Sequence, residues 1–98
     1  MRFYFCERKS GKEIIVAICD EDILGKKFRS HPFILDVKES FYKGSLVEEG
    51  ELESLFKRAT ILNLAGENIV TIAMKKGLLK RERIMKIGEA LHAQMARL

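Results

Sequence analysis

The start of the chain alternates between apolar and polar residues in the way that a β-hairpin requires. Residues 2–8 alternate, a Lys-Ser-Gly-Lys turn follows, and residues 13–19 form an apolar, β-branched run. A period of two predicts half-buried strands, and the turn between them predicts a hairpin. The simplest register sets Arg8 opposite Glu13. The side chains that would then face the core are those of Phe3, Phe5, Ile14, Val16 and Ile18.

The same register separates the two cysteines, Cys6 and Cys19. They would share one face of the hairpin but lie four positions apart, which is about 13 Å at ~3.3 Å per residue. A disulfide spans at most ~7 Å between Cα atoms. We therefore expect both thiols to stay reduced.

A short helical turn and a basic connection are predicted after the hairpin. Residues 20–25 fit a helical turn that Asp20 can cap and Gly25 can end in a left-handed conformation. Residues 26–31 form a basic connection that ends at Pro32.

A third strand is predicted over residues 33–38, where apolar and polar residues alternate again. Ile34, Asp36 and Lys38 would point outward. The residues that would point inward are Phe33, Leu35 and Val37. Phe41 and Tyr42 follow, and we expect them to close one end of the core.

The middle of the chain changes to the period of an α-helix. Residues 51–62 carry apolar side chains at helical spacing, and residues 64–76 predict a second helix that Gly77 ends. Asn63 can cap the second helix, or a single bent helix can run through it. Gly66 inside a helix would cost ~1 kcal/mol relative to Ala, so we expect close packing or a helix start there.

The last part of the chain fits two structures. An amphipathic helix would use Ile84, Ile87, Leu91, Met95 and Leu98. The alternative is two short strands, over residues 84–87 and 93–98. Periodicity does not distinguish helix from strand in short apolar runs, and both remain open.

Length and composition indicate one folded domain over residues 1–98. The chain is 47% hydrophobic and 33% charged, which excludes intrinsic disorder. Its apolar runs are far shorter than the ~20 residues of a membrane span, and its start does not fit a secretory signal. We expect a cytoplasmic protein without membrane association. The predicted fold is α+β: an antiparallel β-sheet with an N-terminal hairpin and two central α-helices packed on one face.

Positive charge is concentrated in residues 75–86, which we call the basic segment. Residues 1–49 carry nine Lys and Arg and nine Asp and Glu, whereas residues 50–98 carry nine and five, so the net charge of +4 lies in the second half. Against Glu82, the basic segment has six cations: Lys75, Lys76, Lys80, Arg81, Arg83 and Lys86. Such a cluster favours an anionic partner such as nucleic acid, although a solvated helix end has the same composition.

Few residues could bind a metal or carry catalysis. The two histidines, His31 and His92, lack the spacing of paired metal ligands, and the sequence contains no Cys-x-x-Cys, phosphate loop, dinucleotide fingerprint or Gly-x-Ser-x-Gly motif. A four-ligand site that combined them with Cys6 and Cys19 would also lack paired spacing. We therefore predict no metal and no cofactor.

Five polar residues stand out as candidates for a functional site: Asn63, Glu67, Asn68, His92 and Gln94. Helix capping and the helix dipole explain Asn63 and Glu67 without a ligand, and His92 can be a structural histidine. The functional alternative brings His92 and Gln94 to the turn at residues 63–67 in one polar cleft. There His92, with Glu67 or Asn63, could transfer a proton near neutral pH.

Four short motifs carry a resemblance to a known family. They are Asp22-Ile23-Leu24-Gly25, Phe41-Tyr42-x-Gly44, the Ala-Thr-Ile-x-Asn-Leu-x-Gly-Glu run at residues 59–67, and His92-Ala93-Gln94. Across nearly the whole chain, the sequence resembles an uncharacterised family of small archaeal proteins, domain of unknown function four-two-four. The resemblance implies that the family's characteristic surface is formed by Asn63, Gly66, Glu67, His92 and Gln94.

The same resemblance has weaker implications for the tail and for function. It favours a short strand near residues 84–87. The family often has Pro immediately before the His-Ala-Gln motif, where Pro favours strands joined by a turn. This chain has Leu91 at that position, so the helical alternative for the tail stays open. Family genes can lie near genes of translation and ribosome biogenesis, which implies a translation-linked role.

The sequence thus leaves several functions open. The first is a small translation-linked RNA- or ribonucleoprotein-binding module that uses the basic segment. The alternatives are a small enzyme that uses His92 with Glu67 or Asn63, and a protein–protein adaptor. The sequence does not define a substrate, an RNA type or an oligomeric state.

Overall fold

The apolar runs of the sequence form a six-stranded β-sheet in the computed structural model, which describes residues 1–97. In this part of the chain the strands are β1 Arg2–Ser10, β2 Glu13–Asp20, β3 Lys27–Ser30, β4 Phe33–Asp36, β5 Ser45–Glu48, β6 Ile61–Ala65, β7 Ile84–Ile87 and β8 Ala90–Ala96. The sheet has the order β5-β1-β2-β6-β8-β7, and β3 and β4 form a separate two-stranded sheet. Neighbouring strands are antiparallel, except that β2 and β6 are parallel.

Within the same residues the α-helices are α1 Glu39–Tyr42, α2 Leu52–Arg58 and α3 Glu67–Lys75. Short 3-10 turns occupy Glu21–Ile23, Glu49–Glu51 and Arg81–Arg83. The predicted α+β class is confirmed. One detail of the prediction is wrong, because the parallel pair of β2 and β6 makes the sheet mixed rather than antiparallel. The described residues also contain a third, four-residue helix, α1, in addition to the two helices predicted in the middle of the chain.

The predicted N-terminal hairpin is confirmed, but its register differs by two residues. Arg8 lies opposite Ile15, and Ser10 lies opposite Glu13. The strands are joined by residues 11–12 alone, a two-residue loop of the kind that hairpins prefer. Because the shift is even, each side chain keeps the face that the sequence predicts.

The two cysteines lie closer together than predicted and are free thiols. Cys6 lies opposite Ala17, so Cys19 is two positions from the partner of Cys6 rather than four. Burial, followed by the charge of Asp20, raises the pKa of the Cys19 thiol to about 12. The thiol is therefore protonated at neutral pH and acts as a packing group.

Both faces of the large sheet are covered. On one face the first apolar cluster joins the sheet to α2 and α3; its fully buried members include Phe3, Val16, Ile18, Leu52, Leu62, Leu64, Ile69 and Val70. On the other face the second apolar cluster contains Ala17, Cys19, Leu35, Val37, Tyr42, Ala65, Ile87 and Ala90. The sheet contributes small residues to this second cluster, so β4 and α1 can pack close to the strands.

The segment that follows the hairpin differs from its prediction. Residues 26–31, predicted as a connection, contain β3, and the predicted third strand of the large sheet is β4, which pairs with β3 instead. Leu35 and Val37 are buried, as predicted, but Phe33 is 50% exposed, so its predicted inward orientation is wrong. The hairpin of β3 and β4 covers the second face of the sheet rather than extending its edge.

The predicted helices at residues 51–62 and 64–76 are shorter in the structure, because β6 lies between α2 and α3. Both the cap and the bent-helix predictions for Asn63 are wrong, since Asn63 lies in the middle of β6. The run from Ile61 to Ala65 is apolar because β6 lies between β2 and β8 with its two faces covered. Periodicity does not separate such a strand from a buried helix.

The tail forms strands rather than the alternative helix. β7 confirms the strand favoured near residues 84–87, and β8 runs from Ala90 to Ala96. The last residue of the predicted strand at 93–98, Leu98, lies outside the described residues.

A buried carboxylate connects the end of β2 to the start of α3. Asp20 is 4% exposed, and its two oxygens accept hydrogen bonds from the backbone N–H groups of Asn68 and Ile69, each at 2.9 Å. Burial raises the pKa of Asp20, while these two hydrogen bonds lower it. Asp20 therefore caps α3, and the predicted cap of its own 3-10 turn is wrong.

Gly66 makes this junction possible. Its φ of 121° is unfavourable for other residues, and a Cβ atom at this position would lie 2.4 Å from Asp20 Cγ. The expectation of close packing or a helix start at Gly66 is confirmed on both counts, because Gly66 is also the N-cap of α3.

We predict that Gly66→Ala destabilises the fold, because the new methyl group would strain the backbone and displace the Asp20 carboxylate. The free energy of unfolding should fall by about 2 kcal/mol or more. Urea denaturation measures it, with Gly50→Ala as the matched control, since a Cβ at Gly50 meets nothing within 4 Å. Equal stability losses in the two variants would contradict this account of the junction.

Candidate functional site

A cavity of about 540 Å³ lies on the second face of the sheet, where β4 and α1 face β6 and β8. Its apolar lining consists of Ile34, Leu35, Phe41 and Ile87. Its polar lining consists of Asp36, Lys38, Ser40, Tyr42, Asn63 and His92. A cavity of this size, in which apolar surface is combined with convergent polar groups, can accommodate a small ligand.

Asn63 is the centre of the polar network in this cavity. In β6, Leu62 and Leu64 belong to the first apolar cluster, so the side chain of Asn63 points to the opposite face. Its Oδ1 accepts a hydrogen bond from Tyr42 Oη at 2.7 Å and another from His92 Nε2 at 3.1 Å. A half-buried amide costs free energy unless it is hydrogen-bonded, so the two partners both stabilise and orient it.

His92 is neutral in this arrangement. An amide oxygen only accepts hydrogen bonds, so Nε2 carries the proton of this contact, and in the neutral ring Nδ1 is then the unprotonated acceptor. Burial lowers the pKa of His92, which favours the uncharged ring at neutral pH. His92 faces Ala65 across the strand pair, and this register places the ring beside Asn63.

Tyr42 is held in place by α1 and by β1. Burial raises the pKa of Tyr42, so its hydroxyl is protonated and donates to Asn63. The ring contacts Phe41 edge-to-face with centroids 5.0 Å apart. The Arg8 guanidinium lies 4.9 Å from the centre of the Phe41 ring and donates hydrogen bonds to the carbonyl groups of Phe41 and Ser40. Phe41 and Tyr42, which the sequence predicts to close one end of the core, thus also line the cavity.

The arrangement can recognise a ligand better than it can transfer a proton. Within residues 1–97, Asn63 Nδ2 and His92 Nδ1 have no hydrogen-bond partner, so the network presents one donor group and one acceptor. The amide of Asn63 does not titrate, and it leaves His92 without the carboxylate that orients a general base in many enzymes.

The structure brings together only part of the predicted cleft. His92 and Asn63 meet, but Glu67 is an exposed residue at the start of α3 that lines a different groove with Asp20 and Lys26. Gln94 lies opposite Asn63 in the sheet but is exposed and lines a groove outside the cavity. The five residues of the implied family surface therefore divide among the cavity, the helix junction at Gly66 and the exposed surface.

All six cations of the basic segment are exposed. Within the described residues, Lys76 is the one that forms an ion pair, with Nζ 2.7 Å from Glu53 Oε2. The hydrogen bond and charge of Lys76 lower the pKa of Glu53. Lys80 and Arg83 line a groove of about 220 Å³ together with Gln94.

Sequence reasoning missed the part of Tyr42 in the polar network. Its proximity to Asn63 depends on the packing of α1 against the sheet, and no spacing in the sequence reports that contact. The orientation of Asn63 follows once β6 is known to be a strand, because a residue between two leucines in a strand faces away from them.

Residues 1–97 contain no group of three or more His, Cys, Asp or Glu side chains arranged to hold a metal ion. None of their helices has the length and apolar character needed to cross a membrane.

The lowered pKa of His92 predicts a pH dependence of stability. Between that pKa and 6.5, the unfolded chain binds a proton that the folded chain does not. The free energy of unfolding should therefore fall as the pH is lowered through this window. In His92→Gln, which does not titrate, the fall should be smaller; urea midpoints of both proteins at several pH values measure the difference. An identical pH dependence in the two proteins would show that His92 makes no such contribution.

Comparison with known proteins agrees with the architecture and supplies no activity. Among solved structures, the crystal structure of an uncharacterized conserved protein from Methanopyrus kandleri is similar, with a TM-score of 0.80 and 24% identity over 100% of this chain and 93% of that chain. This likeness shows a shared fold. No curated protein matches the sequence. The model of the family described as "Protein of unknown function (DUF424)" matches residues 8–98, so the chain belongs to that family.

Proposed function

We propose that this protein binds RNA through the basic segment, as a small module of a translation-linked ribonucleoprotein in the cytoplasm. The observation that carries the proposal is the state of the six cations. All are exposed, and within residues 1–97 five of them lack the carboxylate partner that Lys76 has in Glu53. Unpaired Lys and Arg side chains are available to replace the counterions of a phosphate backbone.

The local structure supports a contact with an extended strand of phosphates. Lys75 ends α3, Arg81 and Arg83 lie in the 3-10 turn before β7, and Lys86 lies on β7, at the edge of the sheet. Lys80 and Arg83 also border the groove at Gln94. The cations thus follow one continuous stretch of backbone from the end of a helix to an edge strand.

The alternative functions have less support. An enzyme that uses His92 with Glu67 lacks the required contact, and one that uses His92 with Asn63 has an amide where proton transfer would need a carboxylate. A protein–protein adaptor would use exposed apolar residues such as Phe33 and Ile34, but the large exposed apolar residues of the described chain are spread over the start of the chain, β4, β5 and β7.

We predict that RNA binding weakens steeply with salt. For single strands, log K falls by about 0.7 for each phosphate contact per unit of log salt. Four to six contacts would give slopes of roughly −3 to −4. Fluorescence anisotropy with labelled single-stranded and hairpin RNA, at several salt concentrations, measures the slope.

A pair of charge-matched variants locates the contact. Lys80→Glu, Arg81→Glu and Arg83→Glu together should abolish binding at low salt. Lys9→Glu, Lys12→Glu and Lys57→Glu change the net charge equally at exposed positions outside the basic segment, and should retain most of the affinity. If the two triple variants bind RNA equally, the basic segment is only a solvated surface.

A further inference from the structure

The cavity around Asn63 has unused hydrogen-bonding capacity. The two bonds to Asn63 Oδ1 leave Asn63 Nδ2 and His92 Nδ1 without partners among residues 1–97. In that part of the chain, no buried side-chain nitrogen or oxygen lacks a hydrogen bond. Both atoms are therefore open to the solvent of the cavity, one as a donor and the other as an acceptor.

The remaining lining suits a flat ligand with apolar faces. Ile34, Leu35, Phe41 and Ile87 supply apolar surface around the polar pair, in a volume of about 540 Å³. A planar heterocycle has this character, because its faces are apolar and its donors and acceptors lie at its edge. Aromatic and aliphatic side chains are the usual surroundings of an unstacked base in RNA-binding proteins.

The charges of the cavity favour a neutral ligand over an anion. Asn63 is uncharged, and burial, which lowers the pKa of His92, favours its neutral form. At the periphery, Asp36 and Lys38 have opposite charges. A phosphate placed here would have one cation and a nearby carboxylate, which is a poor anion site.

Strand β8 connects the cavity to the groove of the basic segment. His92 lines the cavity, and Gln94, two residues further along the strand, lines the groove that Lys80 and Arg83 border. Most of the apolar lining of that groove belongs to the first apolar cluster, on the other face of the sheet. An RNA strand that contacts the groove would therefore pass the edge of β8 to place a base in the cavity.

We propose that this cavity binds a single unpaired nucleobase, with Asn63 Nδ2 donating to an acceptor on the base edge and His92 Nδ1 accepting from a base N–H group. That the base belongs to RNA rests on the proposed function. The contacts that recognise the base lie in the cavity alone, so a nucleoside without any phosphate should bind.

Two-dimensional NMR of the full chain, titrated with uridine, cytidine, adenosine and guanosine in turn, tests the proposal. At least one nucleoside should shift the Asn63 side-chain amide, the His92 ring and the resonances of residues 34–42 at millimolar concentration, with little dependence on salt. Inorganic phosphate should leave these resonances unchanged. The proposal is overturned if no nucleoside shifts them, or if phosphate shifts them equally.

Asn63→Asp separates recognition from folding. An aspartate retains an oxygen that accepts from Tyr42 and His92 but loses the Nδ2 donor, so nucleoside affinity should fall about tenfold or more. Ser54→Asp adds the same charge at an exposed position of α2, on the other face of the sheet, and should retain the affinity. Equal affinities in wild type and Asn63→Asp would overturn the proposal, and the wild-type titration decides independently if that variant does not fold.

Titrations with RNA distinguish failure of the nucleobase site from failure of the proposed RNA binding by the basic segment. Salt-dependent RNA binding that leaves the cavity resonances unchanged would overturn the nucleobase site and leave backbone binding by the basic segment intact. If nucleosides bind in the cavity but RNA does not bind the protein, the nucleobase site is supported, and the proposal that RNA supplies the base is overturned.

Discussion

The parallel pairing of β2 with β6 is the constraint on which the rest of this structure depends. It places a short apolar strand in the middle of the sheet, with Leu62 and Leu64 against the helices and Asn63 on the other face. A half-buried amide there needs hydrogen-bond partners, and Tyr42 and His92 provide them from α1 and β8. The same pairing brings the end of β2 to the start of α3, where Asp20 caps the helix.

This arrangement places the uncharged hydrogen-bonding groups and the exposed cations in different parts of the molecule. The cavity contains uncharged hydrogen-bonding groups because burial favours the neutral forms of His92 and Tyr42. The cations of the basic segment lie instead where α3 ends and the edge strand begins, in contact with solvent. The molecule therefore separates an uncharged hydrogen-bonding pair, Asn63 and His92, from the exposed cations of the basic segment.

Much of the fold follows from local patterns, whereas the site depends on tertiary packing. The hairpin faces and the Gly66 junction could be predicted, because alternation and glycine conformation are local properties, whereas the strand at residues 84–87 is favoured by the family resemblance alone. The strand around Asn63 could not, since a fully covered strand and a helix have the same apolar composition. The contact between His92 and Asn63 could be anticipated as a cleft, but Tyr42 reaches it only through the position of α1.

The tautomer of His92 tests the account of the cavity most directly. Nitrogen-15 NMR of the imidazole ring distinguishes a protonated from an unprotonated nitrogen at each position. At neutral pH we predict a neutral ring with the proton on Nε2, donated to Asn63, and an unprotonated Nδ1 facing the cavity. A ring protonated on both nitrogens, or on Nδ1 alone, would contradict the neutral donor–acceptor pair that the function is built on.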